Sequence, residues 1–442
     1  MKKKKYNLPT GYSYFRTMLR SAEFLNNPIK FISKSMDKFS GTYTAQLGFE
    51  GKLILTQDAG FINHILKENH KNYHKSKLST EKAVKLFGNG LLFSNADYWL
   101  KQRRLIQPAF HRQKLSGLQN IIIKSINDFM PGFTTGDAVD VYPLINKLSF
   151  NIIINSLFNI NISPELMDEI SKLFSELQDF LIKDTNQPFR RILYPVTKEN
   201  KTILKKAKAL RTIFKKIIEE RKSSTRNFND LLDMFLNTKY EDTGEIMHDE
   251  QIIDEVMILI FAGHETTANT LSWLLYLLAT NNTILEKLKA SIETISIEES
   301  LNNEYLKATI YETMRLYPAA WMTERVAVED DAFDKYSFPK GTIIIAFFFG
   351  LHRNKELWDD ALKFMPERFI PDPKSKNYFP FGAGPRMCIG NNFAMMEMAF
   401  FVYVFLKEFD IKATGLEPEM KPLITLRPKE VVLGIEKIVK KI

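Results

Sequence analysis

One cysteine, Cys388, stands among 442 residues, in the loop Phe381-Gly-Ala-Gly384-Pro-Arg386-Met-Cys388-Ile-Gly390. A lone thiol in a chain this long invites metal ligation and cannot form an intramolecular disulfide. Gly382, Gly384 and Gly390 let the backbone turn sharply and approach a flat ligand, while Pro380 and Pro385 stiffen it. From Ile389 the residues Phe393, Met396, Phe400, Phe401 and Val404 belong to an apolar run that reads as a buried helix. Cys388 then sits near the positive end of that helix, where thiolate is favoured over thiol. In isolation such a cysteine is more often a small buried hydrophobe.

A second chemical step lies in Ile258-Leu-Ile-Phe-Ala262-Gly263-His264-Glu265-Thr266-Thr267, where ionisable and hydroxyl groups interrupt an apolar helical run. Mid-helix Gly263 costs about 1 kcal/mol relative to alanine, and burying unpaired polar groups costs a few kcal/mol more. Thr266 can bond back to the carbonyl four residues earlier and bend the helix, while Ala262 and Gly263 leave space for a notch beside a cofactor. His264, a lone histidine on a mixed face, reads as a satisfied structural residue and not as a metal ligand. Further on, Glu312 and Arg315 lie three apart on one helical face. As a surface ion pair they are worth about 0.3–0.5 kcal/mol.

The cysteine loop, read as Phe-x-x-Gly-x-Arg-x-Cys-x-Gly, resembles the haem-binding signature of the cytochrome P450 family at every defined position. The resemblance implies haem b (iron protoporphyrin IX), with Cys388 as axial thiolate and metal ligand, Phe381 beside the sulfur and Arg386 on a propionate. A thiolate in that position pushes electron density into the iron and favours O–O cleavage. Ala-Gly-x-Glu-Thr-Thr resembles the family's oxygen-activation step. By that resemblance Thr266 donates a hydrogen bond during oxygen activation and Glu265 lies on the proton-delivery route.

Other segments match in family order. Phe364-Met-Pro366-Glu-Arg368-Phe369 resembles the stretch whose arginine joins Glu312 and Arg315 in a structural network. The segment around Pro318 to Arg325 resembles the one that places an arginine, here Arg325, on a propionate. Tyr98-Trp99-Leu-Lys-Gln-Arg103 resembles the Trp-x-x-x-Arg helix, which implies Trp99 and Arg103 at the other propionate. Leu91, Leu92, Ala262, Ala319, Ala320, Trp321 and Met322 are the candidate substrate-lining residues, largely apolar.

The elements that must position these groups are mostly helical. Periodicity predicts helices over 59–70, 97–110, 114–129, 144–159, 164–182, 202–221, 228–236, 249–279, 284–296 and 303–317. Residues 41–58 read as a strand hairpin, 336–348 as a second β region, and 422–435 as the last strands. The expected fold is mainly α with a smaller β-rich portion, in the manner of the cytochrome P450 fold. No linker divides the chain, so one domain over 1–442 without a fused reductase is expected.

Hydrophobic residues make up 45% of the chain and phenylalanine numbers 34, enough apolar surface to enclose a cofactor. The net charge of +9 is dispersed through helices and accompanies no nucleic-acid motif. Lys2 to Lys5 precede no apolar signal or anchor, and 266–285, though free of formal charge, is too polar to span a bilayer. A cytoplasmic enzyme without a transmembrane anchor is expected.

The expected reaction is insertion of one oxygen atom from dioxygen into an organic small molecule, by hydroxylation, epoxidation or oxidative O-dealkylation. Electrons would come from a ferredoxin or flavodoxin with its reductase. A fatty acid, terpenoid or carotenoid suits the apolar lining. The alternatives are O-demethylation of a methoxylated sugar or aromatic, and a non-catalytic haem or ligand binder. The Glu265-Thr266 pair argues against a peroxide-driven relative.

Overall fold

The computed structural model describes residues 5–46, 52–159, 162–186, 194–240, 243–371 and 376–439. The chain divides into two compact units, each threaded by several segments. The first comprises 1–76, 308–388 and 420–427, the second 77–307, 389–419 and 428–442.

The first unit holds most of the β structure. A five-stranded sheet runs in the order Thr42–Gln46, Lys52–Thr56, Ile343–Ala346, Thr323–Ala327, Tyr73–His74. The first two strands form the expected antiparallel hairpin, with Tyr43 opposite Leu55; its turn falls outside the described residues. The strand Lys52–Thr56 then pairs in parallel with Ile343–Ala346. Alternation divides their side chains between two apolar clusters. Leu53, Leu55, Trp321 and Phe347 pack on one face, and Ile54, Ile344, Phe61 and Phe338 on the other. A sheet covered on both faces explains why these strands read as continuous aliphatic runs.

The second unit is helical around Asp249–Thr280, which is apolar on nearly every side and packs most extensively on Val141–Phe158. Asp249 and Glu250 complement the positive end of the long helix. Pro164–Asn186, Glu199–Lys222 and Asn391–Glu408 are its other long helices. A three-stranded sheet joins Gly136–Asp140, Val432–Lys437 and Phe409–Ala413.

The architecture is mainly α with small sheets, as the sequence predicts. The helix expected over 59–70 is interrupted: Ala59–Asn63 is α-helical, but His64–Glu68 widens into a π turn. That turn receives the cysteine loop, a demand that periodicity does not encode. Helices Pro28–Lys38 and Lys77–Phe87 were not anticipated. For the first, Asn27 accepting from Lys30 N ahead of Pro28 is a start signal that was available in the sequence.

Candidate functional site

In the first unit the cysteine loop is closed by its own backbone, Cys388 N–H donating to Phe381 O at 2.9 Å. Gly384 adopts φ +67°, and a Cβ there would lie 1.8 Å from Leu66 O. Only glycine can therefore seat the loop on the His64–Glu68 turn. Cys388 is exposed and Phe381 half-buried, so the thiol is presented rather than packed away.

Beside the loop the sheet gathers cations. Arg325, on the strand Thr323–Ala327, is 6% exposed, and its Nη1 donates to Thr323 Oγ1 at 3.2 Å and Glu324 O at 2.7 Å. Burial lowers it to about 10. Burial first, then Arg325 and Arg386, push Lys75 down to about 7. Burial and Arg325 push Arg386 down to about 9. The nearby carboxylate, Glu324, is held by the N–H and hydroxyl of Ser76, both at 3.1 Å. Cations whose charge is disfavoured by burial and by one another are stabilised by an added anion. The set therefore suits a ligand that carries carboxylates, and the exposed thiol suits one that carries a soft metal. Lys75 was missed in the sequence because a single lysine in Asn72-Tyr-His-Lys75-Ser has no periodic or motif signature.

Arg315 and Glu312, on the helix Glu304–Leu316, are both 0% exposed. The surface-pair value assigned from spacing therefore does not apply to them. Arg315 also donates to the carbonyls of His352, Ala361 and Lys363 at 2.8, 2.6 and 3.1 Å. Arg368 Nε reaches Glu312 Oε1 at 3.3 Å, and Met365 N–H donates to the same oxygen at 2.9 Å. The three network residues are thus brought together around the segment that leads to the cysteine loop.

Of the candidate lining residues in this unit, Ala320 is exposed and Ala319 and Met322 are half-buried. Trp321 is instead a core residue, 2% exposed, with its indole N–H donating to Leu423 O at 3.0 Å and its ring edge-on to Phe347. Its position after Pro318 placed it among lining residues; the sheet's apolar cluster claims the ring.

In the second unit the polar step lies in an uninterrupted α-helix. Thr266 Oγ1 donates to Ala262 O at 2.9 Å, the back-bond expected from sequence, and Thr267 and Thr270 repeat the pattern at 3.1 and 3.0 Å. A Cβ on Gly263 would meet Ile153 at 3.5 Å, ordinary contact, so this glycine faces the neighbouring helix Val141–Phe158 without being sterically required. Gln178 donates to Glu265 Oε2 at 3.3 Å. His264 is buried, its Nδ1 paired with Ile260 O at 2.6 Å and its ring edge-on to Phe150; burial holds it below its usual range. Trp99 is buried and Arg103 half-buried one turn later, with Arg103 Nε donating to Gln107 Oε1 at 3.0 Å. Leu91, Leu92 and Ala262 are all half-buried.

Among the described residues, no helix is long and apolar enough to cross a membrane. A family model described as Cytochrome P450 matches residues 7–438. Cytochrome P450 3A12 of Canis lupus familiaris is 31% identical, over 97% of this chain and 90% of its own length. Cyclooctat-9-en-7-ol 5-monooxygenase of Streptomyces melanosporofaciens is 30% identical, over 73% of this chain and 72% of its own. The solved cytochrome P450DA heme domain superposes with a TM-score of 0.87 at 20% identity, over 98% of both chains, a likeness of fold.

Proposed function

This chain belongs to the cytochrome P450 family, a haem-dependent monooxygenase, and on that premise we propose that it oxidises an apolar small molecule of terpenoid type. The presented thiol of Cys388, with buried Arg325 and half-buried Lys75 and Arg386 in the same unit, is the observation that carries the site assignment. When bound, the haem activates dioxygen, and with two electrons and two protons one oxygen atom goes to the substrate and the other leaves as water.

The chain's own groups have separable tasks in this reading. Cys388 supplies the sulfur, and Lys75, Arg325 and Arg386 hold carboxylates of the cofactor, with Trp99 and Arg103 assigned to the second propionate. Phe381 shields the sulfur. Thr266 holds a proton at Oγ1, now directed at Ala262 O, and rotation about its χ1 turns that proton off the helix. Gln178 tethers the Glu265 carboxylate, and loosening this 3.3 Å contact frees the side chain to carry protons inward.

Leu91, Leu92, Ala262, Ala319, Ala320 and Met322 offer the substrate little but apolar surface, which suits a terpenoid, a fatty acid or a carotenoid alike. The relative bearing the name of a cyclooctat-9-en-7-ol monooxygenase is what favours the terpenoid. A ferredoxin or flavodoxin with its reductase supplies the electrons, and the enzyme works in the cytoplasm.

The test uses haem-loaded protein with ferredoxin, ferredoxin reductase and dioxygen. Its substrates are a panel of terpenes, fatty acids, carotenoids and methoxylated compounds, with products read by mass spectrometry. A red-shifted ferrous carbonyl Soret band and a terpene product heavier by one oxygen are expected. Formaldehyde release from methoxylated compounds alone overturns the substrate class, and a carbonyl spectrum without sulfur character overturns the Cys388 assignment.

A further inference from the structure

A buried acid lies on the long helix, well before the polar step. Glu255 is 1% exposed; its Oε2 accepts Leu91 N–H at 2.9 Å, and its Oε1 is buried without a hydrogen-bond partner. Next to it, Asp254 Oδ2 accepts Asn89 N–H at 2.8 Å, while Asp254 Oδ1 accepts Arg211 Nη1 at 2.5 Å. Two successive carboxyls thus hold two amides of the loop Gly88-Asn-Gly-Leu-Leu92.

The loop has little room to sit elsewhere. Gly88 takes φ +89°, and a Cβ there would fall 2.1 Å from Asp254 Oδ1. A Cβ on Gly90 would lie 2.8 Å from the Ile258 side chain and 3.0 Å from both Asp254 O and Glu255 Oε2. Phe87 and Phe93, at the two ends, both pack on Phe261, with ring centroids 4.4 and 5.9 Å away. Leu91 is therefore positioned by the helix rather than by its own loop.

We infer that Glu255 is a positioning residue: it latches the loop 88–92 against the long helix and so fixes the wall that Leu91 and Leu92 present to substrate. The inference rests on reading those two leucines as pocket lining. The groups acting on Glu255 are the Leu91 N–H, which favours its ionised form, and Asp254 beside it, which opposes it; the Tyr98 phenol of the helix Ala96–Ile106 feels Glu255 in turn. From Glu199–Lys222, Arg211 is committed to Asp254 and Glu250. From Lys77–Phe87, Lys85 is committed to Glu81 and Lys82 to Asp184. On Val141–Phe158 the one lysine, Lys147, is exposed. Elsewhere in this unit, Lys289 is committed to Asp410, Lys412 to Glu436, and Glu397 to Ser149.

Burial first, and Asp254 after it, push Glu255 up to about 8. A loop lifted into water would return it toward its ordinary value of 4.5. Between those values the closed latch keeps a proton that the open one has lost. Opening therefore becomes up to tenfold easier per pH unit as pH rises toward 8, and levels off above it.

The experiment is hydrogen exchange on haem-loaded protein at about pH 6.5 and about pH 8, corrected for intrinsic exchange and read on peptides spanning 88–92. Wild type is expected to lose protection roughly tenfold between the two, and Glu255→Gln, which keeps an acceptor for Leu91 N–H but does not titrate, less than about threefold. Equal losses in both proteins, or none in wild type, overturn the inference. Gly90→Ala, whose Cβ would crowd Ile258, Asp254 O and Glu255 Oε2, lifts the loop while leaving the acid titratable, and is read by 4-phenylimidazole affinity relative to imidazole on the same holoprotein. A ratio lowered about tenfold supports a pocket wall at Leu91, whereas an unchanged ratio removes it. Failure of both azoles to shift the Soret band counts against the haem site instead, and leaves the exchange result to decide the latch.

Discussion

Arg315 forks onto Glu312 with Nε at 2.7 Å from one carboxylate oxygen and Nη2 at 2.8 Å from the other, both side chains wholly buried. A bidentate pair in that setting is not a surface decoration. Its remaining donors go to three backbone carbonyls, and Met365 N–H and Arg368 complete the acid's share. Each partner left alone would be a buried uncompensated charge.

Glu312→Ala is accordingly expected to cost about 3–5 kcal/mol, ten times what spacing alone suggests. Urea unfolding of the variant against wild type measures it, and a loss under about 1 kcal/mol would show that water or another group compensates Arg315.

The cation cluster predicts opposite effects in the two forms of the protein. Arg325→Met should stabilise the haem-free chain, because it relieves the burial and repulsion that lower Arg325, Lys75 and Arg386. In the holoprotein it should speed haem loss to apomyoglobin about tenfold, the loss of one charge-assisted hydrogen bond. Haem loss at the wild-type rate would remove Arg325 from the cofactor site.

Thr266→Val keeps the shape of the side chain and deletes the hydroxyl that donates to Ala262 O. Stability should change by less than about 1 kcal/mol, since a back-bond within a helix contributes little. Product formed per reductant consumed should fall roughly tenfold or more if the hydroxyl handles protons. Full coupling in the variant would return Thr266 to a structural role.

Glu397, on Asn391–Glu408, accepts from Ser149 Oγ at 2.6 Å, and burial pushes its carboxyl from 4.5 up to about 8. Its contribution to stability is complete below the unfolded value, falls as pH rises through that window, and is flat above it, because the unfolded chain releases the proton first. Glu255 adds a slope of the same sign. Unfolding midpoints should therefore decline between about pH 5 and about pH 8, and Glu397→Gln should flatten the decline by on the order of 1 kcal/mol per pH unit. An unaltered slope would mean that Glu397 is already ionised in the folded protein.

With a net charge of +9, association with an acidic electron carrier should be steered electrostatically. Stopped-flow reduction by a ferredoxin should slow as ionic strength rises. Salt-independent rates would exclude charge as the docking force.

Much of the site could be read along the chain because its signals are local. Gly382 and Gly384 take positive φ in one loop whose turn is local, Gly384 lets it approach the neighbouring turn, and the long helix was read to within one residue of Asp249–Thr280 by its apolar pattern and its polar step. The back-bond of Thr266 followed from a four-residue spacing.

What spacing could not supply was depth. Glu312 and Arg315 look like an exposed pair until other segments cover them, and Trp321 looks available until the sheet's cluster takes its ring. Lys75 joins Arg325 and Arg386 across some 250 residues, and Glu255 matters only because a glycine loop more than 160 residues earlier folds onto it. The sequence determined which groups exist and how neighbours along a helix or loop are spaced. The tertiary structure alone decided which of them lose water, because desolvation depends on the segments that arrive from elsewhere, and it is desolvation that sets their charge and their worth.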